Sequence, residues 1–152
     1  MKVYLVQHGQ AKHEDDGAGR PLTAKGVEET AAMAKIFAAS GLVSIDIIFH
    51  SDKQRAKETA GIFAAALHPA KGLRELDGIG PTDDVEHGIR TITSVNGNCM
   101  LVGHLPHLSN TVSKLVLGDE DTKIAAFTNS GVICLEKKEY DSSWYIVPAL
   151  SF

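Results

Sequence analysis

Cysteine is scarce in this chain: Cys99 and Cys134 are the only two among 152 residues. Both lie in apolar runs, which excludes a disulfide framework and favours buried free thiols in a reducing cytoplasm. Basic charge is not in excess either. Fifteen Lys and Arg against nineteen Asp and Glu leave a formal net charge of −4, so the electrostatic footprint of a nucleic-acid binder is missing. No apolar run approaches the roughly 20 residues that span a membrane. The opening "MKVYLVQHG" carries one lysine and then too few apolar residues for a secretory signal, and it reads as structure. Repeats, low-complexity segments, long linkers and the glycine-rich phosphate loops of nucleotide-binding proteins are also lacking. What remains is a hydrophobic share of 43% and a charged share of 22%, normal for a globular protein. The length suits one domain over 1–152, enough to bury a real core.

Three strands set the expected frame. Val3 to Val6, Asp46 to Phe49 and "CMLVG" (Cys99 to Gly103) read as buried strands. A helix capped by Thr23, with an acidic first turn, is expected to turn Val27, Ala31, Ala34 and Ala38 inward and to end at Gly41. Ser51 is a candidate cap for a second helix with Ala56, Ala60, Phe63 and Leu67 on one face. A loop covers "HEDDGAGRPL", a short strand lies near Leu73 to Leu76, and a helix is expected near Asp83 to Val95. A further helix carries Pro106 in its first turn and Leu108, Val112 and Leu115 on its apolar face. The tail from Gly131 to Leu150 reads as strand, polar turn, strand. Strands alternating with helices mean an α/β fold. The expectation is a three-layer α/β/α sandwich with a mostly parallel mixed sheet and a C-terminal β-hairpin.

In such sheets ligands bind beyond the C-terminal strand ends. The three strongest strands deliver "QHG", "HSDKQR" and "GHLPH" there. A lone His8 would read as a surface histidine. His104 follows another strand in the same way, again beside a glycine, and the two histidines point to a shared pocket. Arg55 lies about one turn into the helix after "HSDKQR", in the same zone, where an anion is also favoured by the helix N-terminus. Together these groups suit a phosphoryl group: a neutral imidazole to attack it and cationic donors around its oxygens. His104 and His107 have a spacing seen in metal sites, but no cluster supplies further ligands, and no metal is expected.

At this point the sequence resembles the histidine phosphatase superfamily, the group sharing a fold with phosphoglycerate mutases, and within it the small SixA-type phosphohistidine phosphatases. The family's Arg-His-Gly motif falls on Gln7-His8-Gly9. Its "RPLTxxG" segment stands as Arg20 to Gly26, its "SPxxRAxxT" segment as Ser51 to Thr59 with Asp52 in place of proline, and its "GHxP" segment as Gly103 to Pro106. The resemblance implies that His8 is the nucleophile that becomes phosphorylated, that Arg55 binds phosphate, and that His104 binds the phosphoryl group from a second side. Position 7 matches a phosphate-binding arginine, and glutamine stands there. Arg20 is a further candidate phosphate ligand. Glu75 is the nearest counterpart of the carboxylic acid that many members use to protonate the leaving group; the alternative is a carboxylate that caps or pairs within its loop. His13 is a weaker candidate acid.

The reading is therefore a cytoplasmic, metal-independent hydrolase with no cofactor. It removes a phosphoryl group from a phosphohistidine protein or a small phosphorylated molecule through a phosphohistidine enzyme intermediate. The short chain leaves little room for an insertion over the pocket, which favours an open site. The rival is a phosphate- or phosphoprotein-binding module that Gln7 leaves without useful turnover. A mutase is a third reading, for which the chain is short. No nucleic-acid or membrane partner is expected.

Overall fold

The computed structural model describes residues 1–13 and 20–150. Most of the loop expected over "HEDDGAGRPL" lies outside the described residues. Six strands form one sheet in the order β3-β2-β4-β1-β5-β6. They are β1 (Lys2–Gln7), β2 (Ile47–His50), β3 (Leu73–Glu75), β4 (Cys99–Gly103), β5 (Val132–Lys137) and β6 (Trp144–Val147). The first four run parallel, and β5 and β6 add an antiparallel hairpin beside β1. The helices are α1 (Ala24–Ser40), α2 (Gln54–Leu67), α3 (Val85–Thr93) and α4 (His107–Leu117). The fold is the α/β sandwich with a mixed sheet and terminal hairpin that the sequence pattern implied.

Alternation along the strands builds two cores. Val3 and Leu5, Cys99 and Leu101, and Ile47 and Phe49 face Ile92 of α3 and Leu108 and Val112 of α4. Tyr4 and Val6, Met100 and Val102, and Ile48 face Ala34 and Phe37 of α1 and Ala56, Ala60 and Phe63 of α2. Strands buried on both faces read as continuous apolar runs, which is why β1, β2 and β4 were legible. The chain winds outward from β1 through β2 to β3 on one face. It returns on the other face to β4, which inserts between β1 and β2. The ends of β1, β4 and β2 therefore lie side by side, at the place where the winding reverses.

Three local expectations are corrected. The buried face of α1 is Gly26, Thr30, Ala34 and Phe37, while Val27 stays 45% exposed and Ala31 and Ala38 are exposed. The helix is rotated because Gly26 and Thr30, rather than larger apolar residues, touch the strand-end loops: a Cβ on Gly26 would stand 2.2 Å from the Gln10 carbonyl oxygen, and Thr30 Oγ1 donates to Gly26 O and shares a 2.6 Å hydrogen bond with Ser130 Oγ. Its first turn holds no acidic residue, although Thr23 caps it by accepting from Gly26 N and Gly41 ends it at φ 65°. Lys53, not Ser51, is the N-cap of α2. Pro106 is the cap of α4 rather than part of its first turn: the Pro106 carbonyl accepts from Asn110 N, and the helix starts at His107.

Candidate active site

The nucleophile candidate sits on a loop that several side chains hold in place. His8 N donates to the Gly103 carbonyl, joining the ends of β1 and β4. Gly9 N donates to Thr59 Oγ1 at 2.9 Å, and Thr59 Oγ1 donates to Arg55 O. That pair of bonds ties the His8 loop to the first turn of α2. Leu22 N donates to Glu58 Oε2 at 2.7 Å, joining the "RPLT" and "RAKET" segments. Gly9 must lack a side chain, since a Cβ there would meet Thr30 Oγ1 at 2.7 Å.

His8 Nδ1 lies 2.7 Å from the Gly9 carbonyl. A carbonyl only accepts, so Nδ1 carries the proton and Nε2 carries the lone pair. Arg55 Nε donates to that lone pair at 3.2 Å. Burial holds the His8 pKa below its ordinary value; the Gly9 carbonyl opposes the shift, and the charges of Arg55 and Arg20 add to it. The imidazole is thus neutral and oriented, with a guanidinium beside its free nitrogen.

The His104 ring stands with its centroid 5.1 Å from that of His8 and is 1% exposed. Its pKa is pulled down to about 3, chiefly by burial and then by the charge of Arg55. Ser51 Oγ lies 2.6 Å from His104 Nε2 and also accepts from Lys53 N at 3.3 Å. A hydroxyl that already accepts is free to donate, and a neutral imidazole presents one acceptor. Ser51 O–H donating to Nε2 leaves the proton on Nδ1, which is buried with no hydrogen-bond partner. A buried unmet donor costs roughly 1–3 kcal/mol, and an anion beside it would meet that donor.

Gln7 ends β1. Its Nε2 donates to Asn129 Oδ1 at 3.2 Å, while its Oε1 is buried without a partner. Arg20 Nε donates to the Lys12 carbonyl at 2.9 Å, and its charge is felt at His8. Glu75 ends β3, exposed, in register with His50. It makes no hydrogen bond or ion pair with His8, Arg55 or His104 among the described residues. The His107 ring is buried against Gly88 of α3. Among the described residues no group of three or more His, Cys, Asp or Glu stands close enough to hold a metal ion.

The structure thus brings together His8, Arg55 and His104, with Gln7 adjoining His8 in the chain and Arg20 in electrostatic reach. Sequence reasoning missed Ser51 as the partner of His104, Thr59 as the clamp on Gly9, and Asn129 beside Gln7. Thr59 was visible only as the last letter of a motif, and Asn129 carried no signal, because a turn residue 122 positions from Gln7 becomes a neighbour only through the β1–β5 pairing.

The model of the histidine phosphatase superfamily, branch 1, matches residues 3–82. The chain belongs to this superfamily. The protein histidine phosphatase SixA complexed with tungstate superposes with a TM-score of 0.81 at 24% identity, over 97% of this chain and 94% of the other. A putative phosphohistidine phosphatase SixA from Agrobacterium tumefaciens gives 0.79 at 23% identity, over 99% and 97%. Mycobacterial glucosyl-3-phosphoglycerate phosphatase, in complexes with VO3, gives 0.73 at 11% identity, over 95% and 96%. No curated protein matched the sequence. No helix of the described residues is long and apolar enough to cross a membrane.

Proposed function

We propose that this superfamily member is a phosphatase that takes a phosphoryl group from phosphohistidine on a protein, or from a small phosphorylated molecule, onto His8. The observation that carries the reading is the fixed tautomer of His8, with Nε2 unprotonated and facing Arg55. Substrate entry moves the Arg55 guanidinium from the His8 lone pair to phosphoryl oxygens, where its planar fork suits phosphate. His8 Nε2 attacks phosphorus in line, forming a P–N bond as the bond to the leaving group breaks and its electron pair departs with that group. Water then attacks the phosphohistidine, releasing orthophosphate and restoring His8. His104 Nδ1–H, the Gln7 amide and Arg55 surround the phosphoryl oxygens as charge shifts during transfer.

Phosphohistidine suits this site better than an ester. An imidazole departs more easily than an alkoxide and asks less of a general acid. Glu75 is the acid of this reading for ester substrates only; Glu75→Gln should slow ester hydrolysis and leave phosphohistidine turnover nearly unchanged. The chemistry asks for no metal, and dialysis against a chelator should leave the rate unaltered. Tungstate and VO3 occupy two of the structural relatives, which makes tetrahedral oxyanions the natural probes.

The test is turnover of a phosphohistidine-carrying protein and of small phosphate esters beside His8→Ala. Release of phosphate by the unaltered protein, lost in His8→Ala, supports the proposal. The neutral Gln7 favours a second reading, an oxyanion-binding module, which predicts tight vanadate binding with no turnover of any substrate.

A further inference from the structure

Gln7 Oε1 is the one buried side-chain oxygen among the described residues that no hydrogen bond meets; the other unmet buried side-chain atoms are imidazole nitrogens of His104 and His107. The acceptor sits immediately before the nucleophile, and its amide is tied through Nε2 to Asn129 Oδ1 at 3.2 Å. Asn129 lies exposed, next to Ser130, whose φ of 61° turns the chain so that Ser130 N donates to the Gln7 carbonyl. Gln7 N in turn donates to the Gly131 carbonyl. The two amides therefore face each other across backbones fixed by hydrogen bonds on both sides.

An amide pair of this kind has two arrangements that keep one hydrogen bond. In the first, Gln7 donates and Asn129 accepts, and Gln7 keeps an unmet oxygen. In the second, both amides turn over, Asn129 Nδ2 donates to Gln7 Oε1, and the Gln7 NH2 is left to donate elsewhere. The first is the arrangement of the structure. An anion beside His8 is repelled by an amide oxygen and attracted by an amide NH2, so it favours the second. Turning Gln7 alone would set two oxygens against each other at hydrogen-bond distance.

Resting on the phosphoryl-site reading, we propose that Asn129 is a positioning residue for Gln7: the two amides turn over together, and Asn129 Nδ2 donates to Gln7 Oε1 so that the Gln7 NH2 serves a phosphoryl oxygen. This gives a neutral ligand at position 7 a defined orientation where a permanent cation would need none. Asn129 itself touches no phosphoryl oxygen, so its effect must pass entirely through Gln7.

A double-mutant cycle on the full chain, read by calorimetric binding of vanadate, tests this dependence. Asn129→Ala should weaken vanadate binding about three- to tenfold, the range of one neutral hydrogen bond. In the Gln7→Ala background the same substitution should change binding by less than about twofold. A merely structural Asn129 would cost the same factor in both backgrounds, and that result, or no loss in either, overturns the proposal. Far-ultraviolet circular dichroism confirms that each variant is folded. Absence of vanadate binding by the unaltered protein would instead remove the phosphoryl-site reading, and the role of Asn129 with it.

Discussion

In the proposed reaction His8 attacks phosphorus only while its Nε2 is unprotonated, and two features keep it so. The Gly9 carbonyl holds the proton on Nδ1, and burial with the charges of Arg55 and Arg20 keeps the pKa below the ordinary 6.5. The attacking form then predominates at pH 7 and still does at pH 6.5. The acid limb of kcat/KM should lie below pH 6.5; a limb at or above it would show that the imidazole is not held neutral by its surroundings. We propose that Arg20, whose charge is felt at His8, partly meets the charge that position 7 lacks. Gln7→Arg should raise kcat/KM severalfold, since a charged hydrogen bond is about twice as strong as a neutral one, and Arg20→Ala should cost less in that background than in the native one. Equal costs in both would show that Arg20 does not stand in for the missing cation. At this scale the sequence was legible where chemistry is carried by charge or by imidazole, as at His8, Arg55 and His104. Ser51 was misread as a helix cap because a serine before a helix is a local signal, whereas its bond to His104 spans 53 positions.

The start of α1 packs directly on the loop after His8. Gly26 lets the helix approach the Gln10 backbone so closely that an added Cβ would fall 2.2 Å from a carbonyl oxygen. Backbone cannot swing aside as a long side chain can. Gly26→Ala should therefore shift α1 or the loop after His8, costing about 1–3 kcal/mol of stability, and lower turnover more than it lowers the urea midpoint would suggest. An unchanged urea midpoint and rate would show that the contact yields without consequence. Apart from Ala34, which is buried as expected, the face of α1 was predicted one position off for the same reason. Its inward residues include Gly26 and Thr30, which an apolar period does not detect, while Val27 and Ala31 kept an apolar spacing on the solvent side. The strands and the hairpin were legible because burial on both faces, or a polar turn between apolar runs, leaves a pattern in the residues themselves.

Across the whole molecule, one sheet separates two cores; His104 and His107 are buried and His8 is half-buried. We propose that residues 1–152 fold as a single domain. Trp144 reports on the α3–α4 core and Tyr4 on the α1–α2 core, so their signals should be lost at one urea concentration; separate midpoints would divide the chain. Stability should also depend on pH in a defined direction. His8, His104 and His107 are all lowered by burial, His104 to about 3, while in the unfolded chain each returns to about 6.5. Below pH 6.5 the unfolded state takes up protons that the folded state refuses. The stability present above that pH is thus lost as pH falls toward the lowered values. The urea midpoint should be lower at pH 5 than at pH 7, and a rise would contradict the burial of these groups as neutral imidazoles.

The central claim is that His8 carries the phosphoryl group between substrate and water. Brief reaction with a radiolabelled phosphohistidine protein or phosphoramidate, quenched in alkali, reads it directly. The account predicts an acid-labile, base-stable label that peptide mapping places on His8 and that His8→Ala lacks. Phosphate release by His8→Ala at the unaltered rate would contradict it.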